Sequence, residues 1–303
     1  MNDSRPVSAV VVSYNSASTV IATLDSLLQQ SQIPSEIVFV DDCSTDSTFR
    51  DVSQWGKYHG DVDLIIIRNE ENLGPATSRN IGVKACSSSS VIFCDADDVM
   101  LTDRFSKQGK ALETVSISYV SSSKHYQNNY ETYHLNSKFS GILPFELAVR
   151  MFILGEKSDW QLYVPSCTLG VRKEDFLRIG GFDERFDRLE DVDFALRASK
   201  AGLTFQFDDE INVRRSATFG AYKSRNIEAI AQERLLERYS DFLSRAQYRE
   251  IAAWLRVRKN YFARKPLALT LSICEYLLKS TSPLKRIRAG FARLSHDQKI
   301  REK

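Results

Sequence analysis

The 303-residue chain lacks both of the glycine loops that ordinarily cradle phosphate. It contains no G-x-x-x-x-G-K-S/T run and no G-x-G-x-x-G run, which argues against a P-loop nucleotide hydrolase and a dinucleotide-dependent dehydrogenase. A phosphorylated ligand would therefore be held by side chains and metal. Long apolar runs are missing too. The strongest, residues 267–278, is shorter than the roughly 20 residues that span a bilayer. Residues 1–6 are polar and lead directly into a strand-like run, so no secretory leader is expected. The five cysteines (Cys43, Cys86, Cys94, Cys167, Cys274) include no C-x-x-C pair. An odd, scattered set points to reduced thiols packed as small hydrophobes in a cytoplasmic protein, not to a disulfide framework.

Charge is unevenly spread. Of 41 basic and 39 acidic residues, 13 and 3 fall in residues 251–303, so 28 and 36 remain in residues 1–250. An acidic body with a basic tail suits a metal-using site joined to a surface-binding extension. Nothing in the pattern points to a nucleic-acid partner, and self-association stays open.

Apolar runs alternate with helical patterns from the start. Val7 to Ser13, Glu36 to Val40, Val62 to Ile67 and Ser90 to Cys94 read as buried strands. Between the first two, Val20, Ile21, Leu24, Leu27 and Leu28 keep helical spacing, and Ser16 is placed to cap that helix. Pro75 sits at a first helical position. This order predicts an α/β fold with a mostly parallel, doubly wound sheet. Further strands are expected over residues 116–123, 203–207 and 211–214, with a polar, tyrosine-rich excursion over 124–138. Gly180-Gly181 stops a short helix, and Glu190-Asp191 opens the next. From about Ser224 a nearly unbroken helical pattern runs on, interrupted at Pro266 and Pro283. The boundary is placed at 220, giving an α/β domain over 1–220 and a basic helical region over 221–303.

The run Asp95-Ala96-Asp97-Asp98 closes the strand before it. Carboxylates bunched past a buried strand repel and lose hydration unless something positive joins them. Ligands of open α/β sheets bind at that end of the strands. A hard divalent cation, Mn²⁺ or Mg²⁺, shared with a phosphorylated ligand answers the cost. The plainer reading makes Asp97 and Asp98 caps for a helix near Thr102.

Six stretches in order resemble the family 2 glycosyltransferases of the GT-A fold. They are Val12-Ser13-Tyr14-Asn15; residues 36–46 with Asp41-Asp42; Asn72-Leu73-Gly74 with Arg79-Asn80; Asp95-Ala96-Asp97-Asp98; Gly180-Gly181-Phe182-Asp183-Glu184; and Glu190-Asp191. The resemblance covers residues 7–215. It implies a Rossmann-like domain that transfers a sugar, hexosyl or N-acetylhexosaminyl, from a nucleoside diphosphate, UDP in most relatives, with inversion. It implies that Val12, Tyr14, Asp41, Asp42 and Arg79 face the nucleotide, with Asp95 and Asp97 beside it. Asp97 and Asp98 would hold the metal, and Asp191 would be the catalytic base. The acceptor would be a glycan or lipid-linked saccharide of a surface polysaccharide. Cys43 departs from a family glycine. Arg214-Arg215 stands where many relatives carry a histidine, so either arginine would neutralise the diphosphate instead.

Each site has a simpler alternative. Asp41-Asp42 can be strand-end charges, and Glu190-Asp191 can be first-turn acids favoured by the helix dipole. Tyr126, Tyr130, Tyr133 and Trp160 are either edge packing or a platform for a sugar. Residues 267–278 are either a docked helix or a helix lying at the inner face of a membrane. A non-catalytic nucleotide-sugar-binding or scaffolding protein is the alternative function. A sugar nucleotidyltransferase is a third, lacking its glycine-rich loop.

Overall fold

The computed structural model describes residues 6–60, 62–125, 130–152, 164–216, 225–263 and 265–279. The chain forms two compact units, residues 1–220 and 221–303.

The first unit opens with β1 (Val7–Ser13), α1 (Val20–Leu28), β2 (Glu36–Asp41), α2 (Thr48–Tyr58), β3 (Leu64–Arg68), α3 (Gly74–Ala85) and β4 (Ser90–Asp95). These four strands are parallel neighbours in the order β3-β2-β1-β4. β1 and β2 are buried along nearly their whole length, as strands covered on both faces must be. Register aligns their carboxyl ends: Ser13 lies opposite Asp41, and Val12 opposite Asp95. The acidic strand ends thereby meet on one rim.

The sheet then departs from the parallel expectation. β5 (Val99–Met100), α4 (Arg104–Ala111), β6 (Ile117–His125), β7 (Tyr130–Tyr133), β8 (Gly141–Ile142), α5 (Phe145–Phe152), β9 (Leu169–Arg172), α6 (Lys173–Arg178), α7 (Glu190–Lys200) and β10 (Thr204–Ser216) follow. β9 wedges antiparallel between β4 and β6, making the sheet mixed. The two short strands expected around residues 203–214 are one, β10. Its polar Asp208-Asp209-Glu210 interrupts the apolar pattern, but the backbone pairing with β6 continues through register shifts on either side of Ile211. Tyr130 and Tyr133 fall on β7, which pairs with β6. Tyr126 and Trp160 lie outside the described residues.

Two termini differ from the sequence reading. Ser16 serves α1 through its carbonyl, which accepts from Thr19 N at 3.0 Å and Val20 N at 2.9 Å, while its hydroxyl turns to Tyr14 O. The helix after the aspartate run, α4, begins past Asp103, so Asp97 and Asp98 do not cap it. Gly180 and Gly181 end α6 as expected, with φ of 86° and 64° that a side chain would oppose. Phe93, Phe176, Phe182 and Phe194 meet in tilted and edge-on contacts as one aromatic cluster.

The second unit holds α8 (Arg225–Arg238), α9 (Arg245–Phe262) and α10 (Pro266–Lys279). The helical pattern is not unbroken: a 3₁₀ turn at Ser240–Phe242 parts α8 from α9, and Ser244 with Gln247 restarts the helix as a reciprocal cap. Pro266 opens α10 rather than kinking a longer helix. Pro283 lies outside the described residues. Tyr276 packs against Ala253 and Val257 of α9, and Arg256 grips Glu275 with two bonds of 3.0 and 2.7 Å.

Gly82 marks how closely α3 rides on the sheet. A Cβ there would stand 2.5 Å from Cγ1 of the fully buried Val10 on β1. Gly82→Ala should therefore destabilise the fold by about 1–3 kcal/mol, despite alanine's better helix propensity. A lowered urea midpoint checks this; an unchanged or raised midpoint would show that α3 stands off the strand.

Candidate active site

The rim is built by loops leaving β1, β2 and β4, and by the turn before α7. Three non-glycine residues have positive φ among the described residues: Asn15 (52°), Cys43 (62°) and Leu189 (65°). All three lie in these loops. Asn15 turns left so that its Oδ1 accepts from Thr45 N at 2.8 Å and Asp46 N at 3.3 Å, while its own N–H donates to Ser44 Oγ. Cys43 takes a left-handed conformation in this turn, at a cost of about 1–2 kcal/mol for an L side chain.

Asp41 is fully buried. Its Oδ2 pairs with Arg68 Nε at 3.2 Å and accepts from Ser44 N, and its Oδ1 has no partner among the described residues. Asp42 is bound into the turn ahead of α3. One oxygen accepts from Asn69 Nδ2 at 2.8 Å and Leu73 N at 2.9 Å, and the other from Gly74 N at 2.9 Å. Oδ2 thus keeps room for one more donor. Val12 is half-buried, and its carbonyl accepts from Ala96 N, tying β1 to the aspartate turn. Tyr14 is 42% exposed at the rim.

In the aspartate turn, ligand atoms of Asp95, Asp98 and Cys167 lie within 4.8 Å of one another. Asp97, placed with the metal by the sequence reading, is half-buried and outside that group. Cys167 arrives on the 3₁₀ turn Ser166–Thr168 leading into β9, a position with no signature in the sequence. Asp98 is buried and accepts from Ser216 N at 3.1 Å. Burial pushes its pKa up to about 8, assisted by Asp95 and Asp97; the Arg215 charge and the Ser216 N–H oppose the rise. Burial likewise raises the Cys167 thiol, against the pull of Arg215. Of the two arginines proposed for the diphosphate, Arg215 is the one whose charge reaches this cluster. Arg214, its neighbour on the strand, is exposed.

One arginine joins the two halves of the rim. Arg79 Nη2 donates to Asp95 Oδ1 and Nη1 to Glu190 Oε1, both at 2.8 Å. Burial disfavours its charge, but Asp95 and Glu190 more than compensate, and its pKa is raised. Next to it, Asn80 accepts from Phe182 N at 2.9 Å and donates to Phe182 O at 2.8 Å, stitching α3 to the Gly180-Gly181-Phe182 turn. Arg197 closes that turn with bonds to Ile179 O and Gly181 O while holding Asp193 at 2.7 Å. Glu190 and Asp193 are each committed to an arginine. Asp191 makes no ion pair among the described residues, and one of its oxygens accepts from Val192 N. Burial raises its pKa to about 7, with Glu190 adding to the rise and Val192 N, Arg79 and Arg188 opposing it. The fully buried Tyr119 hydroxyl lies in the field of Asp191 and has no partner among the described residues.

The model of the family described as "Glycosyl transferase family 2" matches residues 8–179. The chain belongs to glycosyl transferase family 2. A family relative described as an uncharacterized glycosyltransferase, from Haemophilus influenzae, is 30% identical over 194 residues, 63% of this chain and 61% of the relative. Another, the UDP-Glc:alpha-D-GlcNAc-diphosphoundecaprenol beta-1,3-glucosyltransferase WfaP of Escherichia coli, is 32% identical over 120 residues, 40% of this chain and 46% of the relative. The matches thus span less than two thirds of these relatives. Among solved structures, S. aureus TarS 1–349 in complex with UDP-GlcNAc aligns with 89% of this chain and 80% of its own, with a TM-score of 0.61 at 20% identity. That likeness is one of fold, the GT-A fold expected from the sequence.

Of the group Asp95, Asp98 and Cys167, the two carboxylates suit a hard divalent cation of the Mn²⁺ or Mg²⁺ kind, whereas the buried thiol is a soft ligand that such ions do not favour. The cost of gathering acids here is visible in Asp98, which burial, Asp95 and Asp97 raise in spite of Arg215. That cost has a sign. Asp98 (about 8) and Asp191 (about 7) hold protons more tightly folded than the usual carboxylate near 4. The stability linked to these protons is complete below about pH 4 and is lost as pH rises through about 7 to 8. The thermal midpoint should therefore drop between about pH 6 and 8, and the drop should shrink in Asp98→Asn. Parallel pH profiles of the two proteins would contradict this.

Proposed function

We propose that this family 2 protein is an inverting, cation-dependent glycosyltransferase. It moves a hexosyl or N-acetylhexosaminyl group from a UDP-sugar to a hydroxyl of a glycan or lipid-linked saccharide in surface polysaccharide synthesis. The observation that supports the reading is the Arg79 bridge, which ties Asp95 of the aspartate turn to Glu190 in the first turn of α7, the residue next to Asp191. The E. coli relative, whose name gives a UDP-glucose donor and a lipid-diphosphate acceptor, supports the donor and acceptor classes. The TarS complex, described with UDP-GlcNAc, supports a uridine nucleotide.

In this reading Tyr14 stacks on the base, and the remaining acceptor site on Asp42 Oδ2 takes the N3–H that uracil offers and cytosine does not. Val12 and Asp41 shape the floor under the nucleotide, with Asp95 and Asp97 at its phosphate end. A cation bound by Asp98, with Asp95 and Asp97 at hand, would neutralise charge on the departing diphosphate. Arg215 stands on the same side and would add to that neutralisation.

Asp191 takes the proton of the acceptor hydroxyl as the oxygen attacks the anomeric carbon; the bond to the diphosphate breaks on the opposite face. A pKa near 7 matches a base to neutral conditions. Because the base must be ionised, the rate should rise with pH through about 7. One displacement inverts the centre, so an α-linked donor gives a β-linked product.

UDP release from a panel of UDP-sugars, with Mn²⁺ and saccharide acceptors, tests the assignment. Asp191→Asn should cut kcat about 10²–10⁴-fold and leave UDP affinity near wild type, and NMR of the product should show the inverted anomer. A retained anomer would sink single displacement; a near-normal kcat would relieve Asp191 of its role.

A further inference from the structure

Helix α10 has two apolar faces. Leu269, Ile273 and Tyr276 turn toward Ala253, Trp254 and Val257 of α9. On the opposite side Leu267, Leu271 and Leu278 are 83%, 73% and 89% exposed, and Cys274 is exposed among them. Steps of four, three and four residues at about 100° each bring these four side chains into a stripe roughly 60° wide. A helix that only docked on α9 would carry polar residues there. The sequence on either side of the stripe is basic. Lys265 precedes α10 and Lys279 ends it, and residues 280–303 hold seven Lys or Arg against two Asp or Glu.

We propose that this leucine stripe docks the protein on an anionic phospholipid surface, with α10 lying in the plane of the headgroups. Among the described residues no helix is long and apolar enough to cross a membrane. The 14 residues of α10 rise about 21 Å, against a hydrocarbon core of about 30 Å, so it lies on the bilayer and does not traverse it. An apolar face shallowly inserted, with basic residues beside it, is the arrangement that binds acidic lipid. Charge favours an anionic surface over a second copy of the chain, since the sequence that follows α10 is net positive and a second copy carries the same sign. The surface belongs to the second unit alone and does not depend on the sugar-transfer reading.

The test uses the full chain and two vesicle types, phosphatidylcholine alone and phosphatidylcholine with phosphatidylglycerol. Sedimentation should show binding to the acidic vesicles about tenfold or more above the neutral ones, weakening as salt rises. The double substitution Leu271→Glu with Leu278→Glu should lose about tenfold or more of that binding while its circular dichroism is unchanged. UDP release onto a soluble acceptor should be the same in both proteins, which separates failure of docking from failure of the enzyme reading. As a second readout that leaves the leucines intact, an environment-sensitive dye on Cys274, with Cys43 replaced, should shift to the blue on acidic vesicles. That readout decides the matter if the double variant does not fold. Absence of binding, equal binding to neutral vesicles, wild-type binding by a folded variant or an unshifted dye would each overturn the proposal. So would light scattering showing a dimer that the two leucine substitutions dissolve.

Discussion

The rim depends on one buried cation. Arg79 reaches Asp95 at the end of β4 with one nitrogen and Glu190 at the start of α7 with another. Those residues are 95 positions apart in the chain. A guanidinium can satisfy both because its donors form a rigid, planar fork; a lysine has a single point of charge. Without it two carboxylates would face each other across a largely dry interface, a state costing about 3–5 kcal/mol for an uncompensated buried charge. Asn80, one position on, binds the Phe182 backbone in both directions. Together the pair on α3 fixes where the proposed base stands relative to the proposed donor site.

The same logic of concentrated negative charge organises the rest. Asp41 is answered by Arg68, Asp193 by Arg197, and Asp42 by backbone and amide N–H groups. Asp41 and Asp193 serve the scaffold, and Asp42 is held in place with one acceptor site left on Oδ2. Asp98 and Asp191 are answered less completely, and theirs are the carboxyl groups that burial lifts to about 8 and 7. Perturbed groups gathered at the carboxyl rim of a sheet are where binding and proton transfer are most economically placed. Backbone strain concentrates there also: Asn15, Cys43 and Leu189 all turn left in the loops that shape this rim.

Much of this was legible in the chain. Strands β1, β2 and β4 announce themselves as apolar runs ending in Ser13, Asp41 and Asp95, and their parallel register follows from the helices between them. The later strands were harder, because short length and polar interruptions hide them. β9 has four residues and runs against its neighbours, and β10 is split to the eye by Asp208-Asp209-Glu210. Roles within the acidic motifs were less legible than the motifs themselves. The resemblance points to Asp191 among the acids of this turn; only the folded chain shows that arginines have taken Glu190 and Asp193. Cys167 gives no local signal, since its nearness to Asp95 and Asp98 exists only once β9 lies beside β4.

The central claim is that the aspartate turn is a joint site for a cation and a nucleoside diphosphate. Calorimetric titration of UDP into the full chain, with and without Mn²⁺, tests it most directly. The account predicts strong binding with Mn²⁺, much weaker binding without it, and loss of the Mn²⁺ dependence in Asp98→Asn. UDP affinity that is equal with and without the cation in the wild-type protein would contradict it.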